Sequence, residues 1–160
     1  MTTTPIYAQL TPEAYELLAE LCAGALPHEA CGVLSGAYVD VNESGASLPT
    51  ARFLRVTSVH AVRNAALRPE KQFSFDPADW IRAHYDMQKN RQTLVGFFHS
   101  HPASLPVPSI ADQAGLPADG SGISYWIVSP QLDDGRRLLI QPYWLQGSRL
   151  SPLMLAQISV

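Results

Sequence analysis

At 160 residues the chain has room for one domain with a sizeable core but not for two. Its residues are 46% hydrophobic and 16% charged, and its net charge is −3 with the 11 Lys and Arg scattered, so composition excludes a global nucleic-acid-binding signature. Cys22 and Cys31 are too few for a disulfide framework, Met1 to Pro5 lacks the parts of a signal peptide, and no apolar run reaches the roughly 18 residues of a membrane span.

The expectation is a cytoplasmic protein of one domain, residues 1–160, whose partner is a protein or small molecule. The first predicted element is a helix from Pro12 to Ala23, with Thr11 as N-cap, Pro12 at the first helical position and Gly24 as its end. Ala14, Leu17, Leu18, Leu21 and Cys22 recur at helical spacing as its buried stripe. A turn at Leu26-Pro27-His28-Glu29 leads into a strand from Ala30 to Val39. Asn42 to Ser47 reads as a polar loop, and Arg52 to Ala61 as a second strand. Asn64 to Lys71 is a longer connection interrupted by Pro69.

Asp76-Pro77-Ala78-Asp79 starts a second helix, with Trp80, Ile81, His84, Tyr85 and Met87 expected on or near its inner face. Thr93 to Phe98 is the apolar run of a central strand covered on both sides. Ser124 to Val128, Leu138 to Leu145 and Leu153 to Val160 are further strands, Pro142 pushing the second of these toward an edge or bulge. Two helices against about six strands predict an α+β domain or a mixed sheet flanked by helices.

The chemistry concentrates in His99-Ser100-His101-Pro102, followed by Ser109 and Asp112. Side chains two apart on a strand share a face, so His99 and His101 can converge on one point. Pro102 stops strand pairing, and Pro106 and Pro108 stiffen the loop that brings Asp112 back toward them on a short helical stretch, Ile110 to Gln113. Two histidines and a carboxylate leave a fourth zinc position open, as catalytic zinc sites do. Ser109-x-x-Asp112 is equally a helix capping box, and neither it nor His-x-His is specific alone. Joined across a proline-rich loop, they point to a metal-activated hydrolase.

His-x-His-Pro, six residues, Ser, two residues, Asp resembles the signature of the JAMM metalloproteases built on the MPN domain, and it matches at every position. Pro27 to Gly36 resembles the family's upstream glutamate segment, and the Asn64 region and Phe75-Asp76-Pro77 extend the resemblance over roughly Pro5 to Pro130. The resemblance implies an α+β MPN domain: a mixed curved sheet of about six strands flanked by two main helices, of cytidine-deaminase-like architecture.

It also implies one Zn2+ per chain on His99, His101 and Asp112, with water as fourth ligand. Glu29 is then the general base and Ser109 a hydrogen-bond donor to the oxyanion. The family's substrate is implied too: an amide after the C-terminal Gly-Gly of a ubiquitin-like protein, here a sulfur-carrier type, as for small stand-alone bacterial members. Candidate groove walls are Leu105 to Pro108 and the segment between Val62 and Phe73, where Arg63, Arg68 and Lys71 could meet an acidic carrier.

Simpler readings stand beside these. His28 reads as a surface residue, and His60 and His84 as structural. Cys31, two residues after Glu29, is either a small buried hydrophobe, a residue facing the metal site, or a nucleophile paired with a histidine, which would leave the motif spacing unexplained. At the level of function, the alternatives are a non-catalytic MPN scaffold and a metal-dependent peptidase acting on cell-wall or other small peptide amides. The oligomeric state and any activating partner are not encoded in these patterns.

Overall fold

The computed structural model describes residues 4–41, 51–114, 120–130 and 138–157. The polar loop expected at Asn42 to Ser47 and the last three residues of the expected final strand lie outside them. Strand β1 (Tyr7–Leu10) precedes helix α1 (Pro12–Ala25), followed by β2 (Cys31–Val41) and β3 (Ala51–Val62). Helix α2 (Pro77–Lys89) leads to β4 (Thr93–Ser100), and α3 (Ile110–Ala114) to β5 (Gly120–Pro130). Three strands, β6 (Leu138–Gly147), β7 (Arg149–Pro152) and β8 (Met154–Gln157), complete the order. None of the described helices is long and apolar enough to cross a membrane.

All strands join one mixed eight-stranded sheet in the order β7-β6-β5-β4-β2-β3-β1-β8. The pairs β1–β3, β1–β8 and β4–β5 are parallel and the others antiparallel. Strands β7 and β8 are separated in sequence only by Leu153, yet they occupy opposite edges. The sheet therefore curls until its two ends meet. Leu153 fixes the meeting point, donating its N–H to the Pro142 carbonyl (2.9 Å) and accepting from Gln141 Nε2 (3.0 Å).

The α+β class and mixed sheet agree with the sequence reading, with two strands added. The two added strands, β1 and β7, have four residues each, too few to carry a readable alternation. Pro142 lies not on an edge strand but on β6, between β5 and β7. Its carbonyl faces Leu153, away from β5, so its missing N–H falls on the side where β7 has already ended at Pro152.

Two layers of side chains pack against the sheet. Ala14, Leu18 and Cys22 of α1 pack with Leu34, Val56 and Phe98 in the larger core, while Ala83 and Met87 of α2 pack with Val33 and Val62 on the other face. Thr11 caps α1 through Oγ1, accepting from the Ala14 N–H at 3.2 Å. Gly24 does not end this helix, which runs to Ala25 before Pro27 stops it. Leu17, expected in the stripe, is 39% exposed, because the buried row is the i, i+4, i+8 line Ala14-Leu18-Cys22.

Helix α2 starts where predicted, with the Asp76 carboxylate accepting from the Asp79 N–H at 3.0 Å. Its inner face is Ala83 and Met87 with half-buried Trp80, whereas Ile81 (61%), Tyr85 (70%) and His84 are exposed. The expected assignment of those three to the inner face is corrected by this geometry. Small Ala83 faces the sheet and lets the helix sit close on it.

Candidate metal centre

Strand β4 carries the apolar run into the core and delivers His99 at its end, 0% exposed. Pairing with β5 continues one residue further, His101 N–H donating to the Val128 carbonyl at 2.8 Å, before Pro102 ends it. On the other side of β4, Ser100 ties in the start of β2. Its N–H donates to the Ala30 carbonyl (2.9 Å) and its Oγ accepts from the Ala30 N–H (2.7 Å). Glu29 is thereby drawn beside the histidines. Gly32, three residues on, permits this: a Cβ there would collide with the His60 carbonyl and the Phe98 ring.

The proline-rich loop is pinned rather than loose. Tyr143 Oη donates to the Pro106 carbonyl at 2.9 Å, and Ser129 Oγ to the Ser104 carbonyl. It hands the chain to α3 through the capping box: Ser109 Oγ accepts from the Asp112 N–H (3.0 Å), and Asp112 Oδ2 from the Ser109 N–H (2.9 Å). The capping reading and the site reading of Ser109-x-x-Asp112 are both realised, because the cap is what turns the Asp112 carboxylate inward. Its Oδ1 is 3.2 Å from His99 Nε2 and its Oδ2 is 3.1 Å from His101 Nε2.

His99 Nε2 and His101 Nε2 are themselves 3.0 Å apart, and the ligand atoms of His99, His101 and Asp112 all lie within 4.8 Å of one another. His101 Nδ1 faces the Leu105 carbonyl at 2.9 Å, where it has to be the donor. In the neutral ring that leaves the Nε2 lone pair aimed at the trio's centre, an arrangement typical of metal-binding histidines. Glu29 stands alongside, 5% exposed, with its buried Oε1 lacking a hydrogen-bond partner among the described residues. Two imidazoles and a carboxylate converging beside an orphaned buried carboxylate oxygen fit a divalent cation.

The surroundings set the charges. Burial raises the Glu29 pKa to about 7; the nearby His101 opposes this and Asp112 reinforces it. Burial lowers that of His99, with Asp112 partly offsetting it. For His101 burial acts downward too, but the Asp112 hydrogen bond, the Leu105 carbonyl and the charges of Asp112 and Glu29 hold it above the ordinary value. Burial alone would raise Asp112, yet its bonds with His101 and His99 and the Ser109 N–H hold it well below the usual carboxylate range.

Among the residues with simpler readings, His28 is exposed, and His60 Nε2 contacts Ser35 Oγ at 3.2 Å. Cys31 is buried, its thiol donates to the Val62 carbonyl at 3.3 Å, and burial pushes its pKa to about 12, the wrong direction for a nucleophile.

Three positioning features escaped the sequence reading. Phe73 stacks on His99 at 4.4 Å between centroids, and Tyr125 meets the same ring edge-on at 5.5 Å. Asn64 Nδ2 donates to the Glu29 carbonyl at 3.1 Å. An aromatic residue and an asparagine in a polar connection carry no local signal of either contact.

With that geometry in place, comparison with known proteins is informative. Residues 11–141 match the family of prokaryotic homologs of the JAB domain. The chain is 37% identical over 117 residues to a desampylase of Haloferax volcanii, spanning 73% of this chain and 71% of that one. It is 36% identical over 62 residues to a desampylase of Pyrococcus furiosus, spanning 39% and 44%. A solution structure of a protein from Desulfitobacterium hafniense has the same fold, with a TM-score of 0.72, 27% identity, and coverage of 96% of this chain and 94% of that one. A Salinibacter ruber protein, at 24% identity and a TM-score of 0.57, supports the fold over 94% and 92% of the two chains. With the family matched over most of its length and its motif folded into one cluster, the chain belongs to the JAMM enzymes, as a prokaryotic homolog of the JAB domain.

Proposed function

We propose that this protein is a zinc-dependent peptidase or isopeptidase that hydrolyses the amide following the C-terminal Gly-Gly of a ubiquitin-like or sulfur-carrier protein. The observation that carries the reading is the convergence of His99, His101 and Asp112 beside buried, unpartnered Glu29. The archaeal relatives named desampylase support hydrolysis of a linkage to a ubiquitin-like modifier, and the intact cluster speaks against a non-catalytic scaffold.

His99, His101 and Asp112 are the residues that would hold the ion. When bound, a zinc ion supplies Lewis acidity and brings the pKa of a coordinated water toward about 7. The chain's own residues supply the rest. Glu29, with its pKa raised by burial to about 7, takes a proton from water at neutral pH and returns it to the departing nitrogen. Ser109 Oγ accepts from the Asp112 N–H, which leaves its own O–H free to donate to a carbonyl oxygen gaining negative charge. Phe73 and Tyr125 cover the His99 ring and keep water from its faces.

The test pairs metal analysis with cleavage of a Gly-Gly-tailed carrier conjugate. About one zinc per chain, absent from His101→Ala and Asp112→Ala, is expected. Glu29→Ala is expected to keep the metal and lose at least about 100-fold in kcat. A protein that binds no zinc on reconstitution, or a Glu29→Ala variant with normal turnover, would overturn the reading.

A further inference from the structure

Ser100 separates the two histidines, and alternation along β4 turns its side chain to the face away from them. It is 1% exposed there, against Ala30 of the larger core. Burial raises the pKa of Cys22 on α1, and a hydrogen bond with the Ser100 side chain opposes that rise, so the hydroxyl meets the thiol as well.

Antiparallel strands exchange two bonds at every second residue pair, each N–H donating to the opposite carbonyl. Leu34 faces Gly96 and Gly32 faces Phe98, and Ala30 with Ser100 is the next pair in that series. Half of its exchange is the ordinary one, the Ser100 N–H donating to the Ala30 carbonyl at 2.9 Å. The Ala30 N–H donates instead to Ser100 Oγ, at 2.7 Å. The hydroxyl thus stands in for its own residue's carbonyl, and the strands part at this rung without leaving a buried N–H unpaired.

Glu29 is the next residue outward. Its N–H donates to the Pro69 carbonyl at 2.7 Å and its carbonyl accepts from Asn64, so the chain has left the sheet by this point. A complete main-chain rung would draw Ala30 toward β4 and carry Glu29 with it. A rung with neither acceptor would strand the Ala30 N–H in the core.

We infer that the Ser100 hydroxyl is a positioning group for Glu29: by accepting from Ala30 in place of its own carbonyl, it sets how far the start of β2 stands from β4, and so where the Glu29 carboxylate sits relative to His99, His101 and Asp112. The inference rests on the reading of Glu29 as general base given above. Serine and threonine meet the requirement at this position, whereas alanine and valine do not.

The test uses Ser100→Ala and two double variants, Cys22→Ala/Ser100→Thr and Cys22→Ala/Ser100→Val. Threonine and valine have the same shape, the Cys22 change makes room for the added methyl, and the two doubles differ only in the hydroxyl. The Ala and Val variants are expected to lose about tenfold or more in kcat on a Gly-Gly-tailed conjugate, with KM and zinc content unchanged, while the Thr variant stays within about threefold of wild type. Independently of turnover, the Ala30 amide of the metal-free protein is expected to exchange with deuterium faster in the Val variant than in the Thr variant. Wild-type kcat in the Ala and Val variants, or a Thr variant no better than the Val one, overturns this inference and leaves the hydrolase reading standing. Loss of zinc together with kcat, or failure of both hydroxyl-free variants to fold, overturns it too, because Ser100 would then support the whole site rather than Glu29. Normal turnover in Glu29→Ala removes the base and this inference with it.

Discussion

Asn64 holds the main chain of Glu29: its Nδ2 lies 3.1 Å from the Glu29 carbonyl and 2.9 Å from that of Gln72. Its Oδ1 accepts from the Ala66 and Ser74 N–H groups at 3.0 and 3.1 Å, and Glu29 N–H donates to the Pro69 carbonyl at 2.7 Å. One side chain thus ties the catalytic candidate to the connection that also carries Phe73 over His99. Asn64→Asp keeps the shape and the acceptor but removes the Nδ2 donor. We expect a stability loss of about 1–3 kcal/mol and a fall in kcat with zinc content retained. Denaturant unfolding and metal analysis check both, and unchanged kcat would show that Asn64 serves the loop alone.

The pH profile should carry the signature of Glu29. Burial raises its pKa from the ordinary 4.5 to about 7, and a bound cation, being positive, pulls it back. The base form is the ionised one, so kcat/KM should rise with pH and level off above a pKa between those two values. Below it, activity falls tenfold per pH unit. A profile of the zinc-replete enzyme, with metal content followed at each pH, tests this. A flat profile across that interval would remove Glu29 from the proton path.

Both thiols should be silent in the native state. Burial pushes Cys22 and Cys31 to about 12, from 9.0 in the unfolded chain. Between those values the unfolded state has lost protons that the folded state keeps, so stability falls as pH rises above 9.0, by about 1.4 kcal/mol per unit per thiol at most. Ellman's reagent at pH 8 should react only as the protein unfolds. Rapid labelling of native Cys31 would contradict its hydrogen bond to Val62.

Two neighbouring leucines on α1 should behave differently. Leu18 is 0% exposed within the larger core, and Leu18→Ala is expected to cost about 2–5 kcal/mol. Leu17, at 39% exposure, is expected to cost well under half as much on the same change. Paired urea titrations decide it, and equal losses would mean that α1 is rotated from the packing described.

What the sequence determined by itself is local. The caps Thr11 and Asp76, the strand that leads to His99, and the spacing of His99, His101, Ser109 and Asp112 all lie within a few residues to one short loop, where backbone geometry and proline stiffness decide the outcome. Chain-wide contacts decided the rest. Ala30 meets Ser100 across 70 positions and Asn64 meets the Glu29 carbonyl across 35, and no periodicity encodes such pairs. The same holds for which residues of α2 turn inward, and for the short strands β1 and β7, whose four residues become strands only because neighbours offer them hydrogen-bonding partners. Sequence specifies which groups arrive together on a strand or turn, while the packing of distant segments decides which of them are buried, oriented and held.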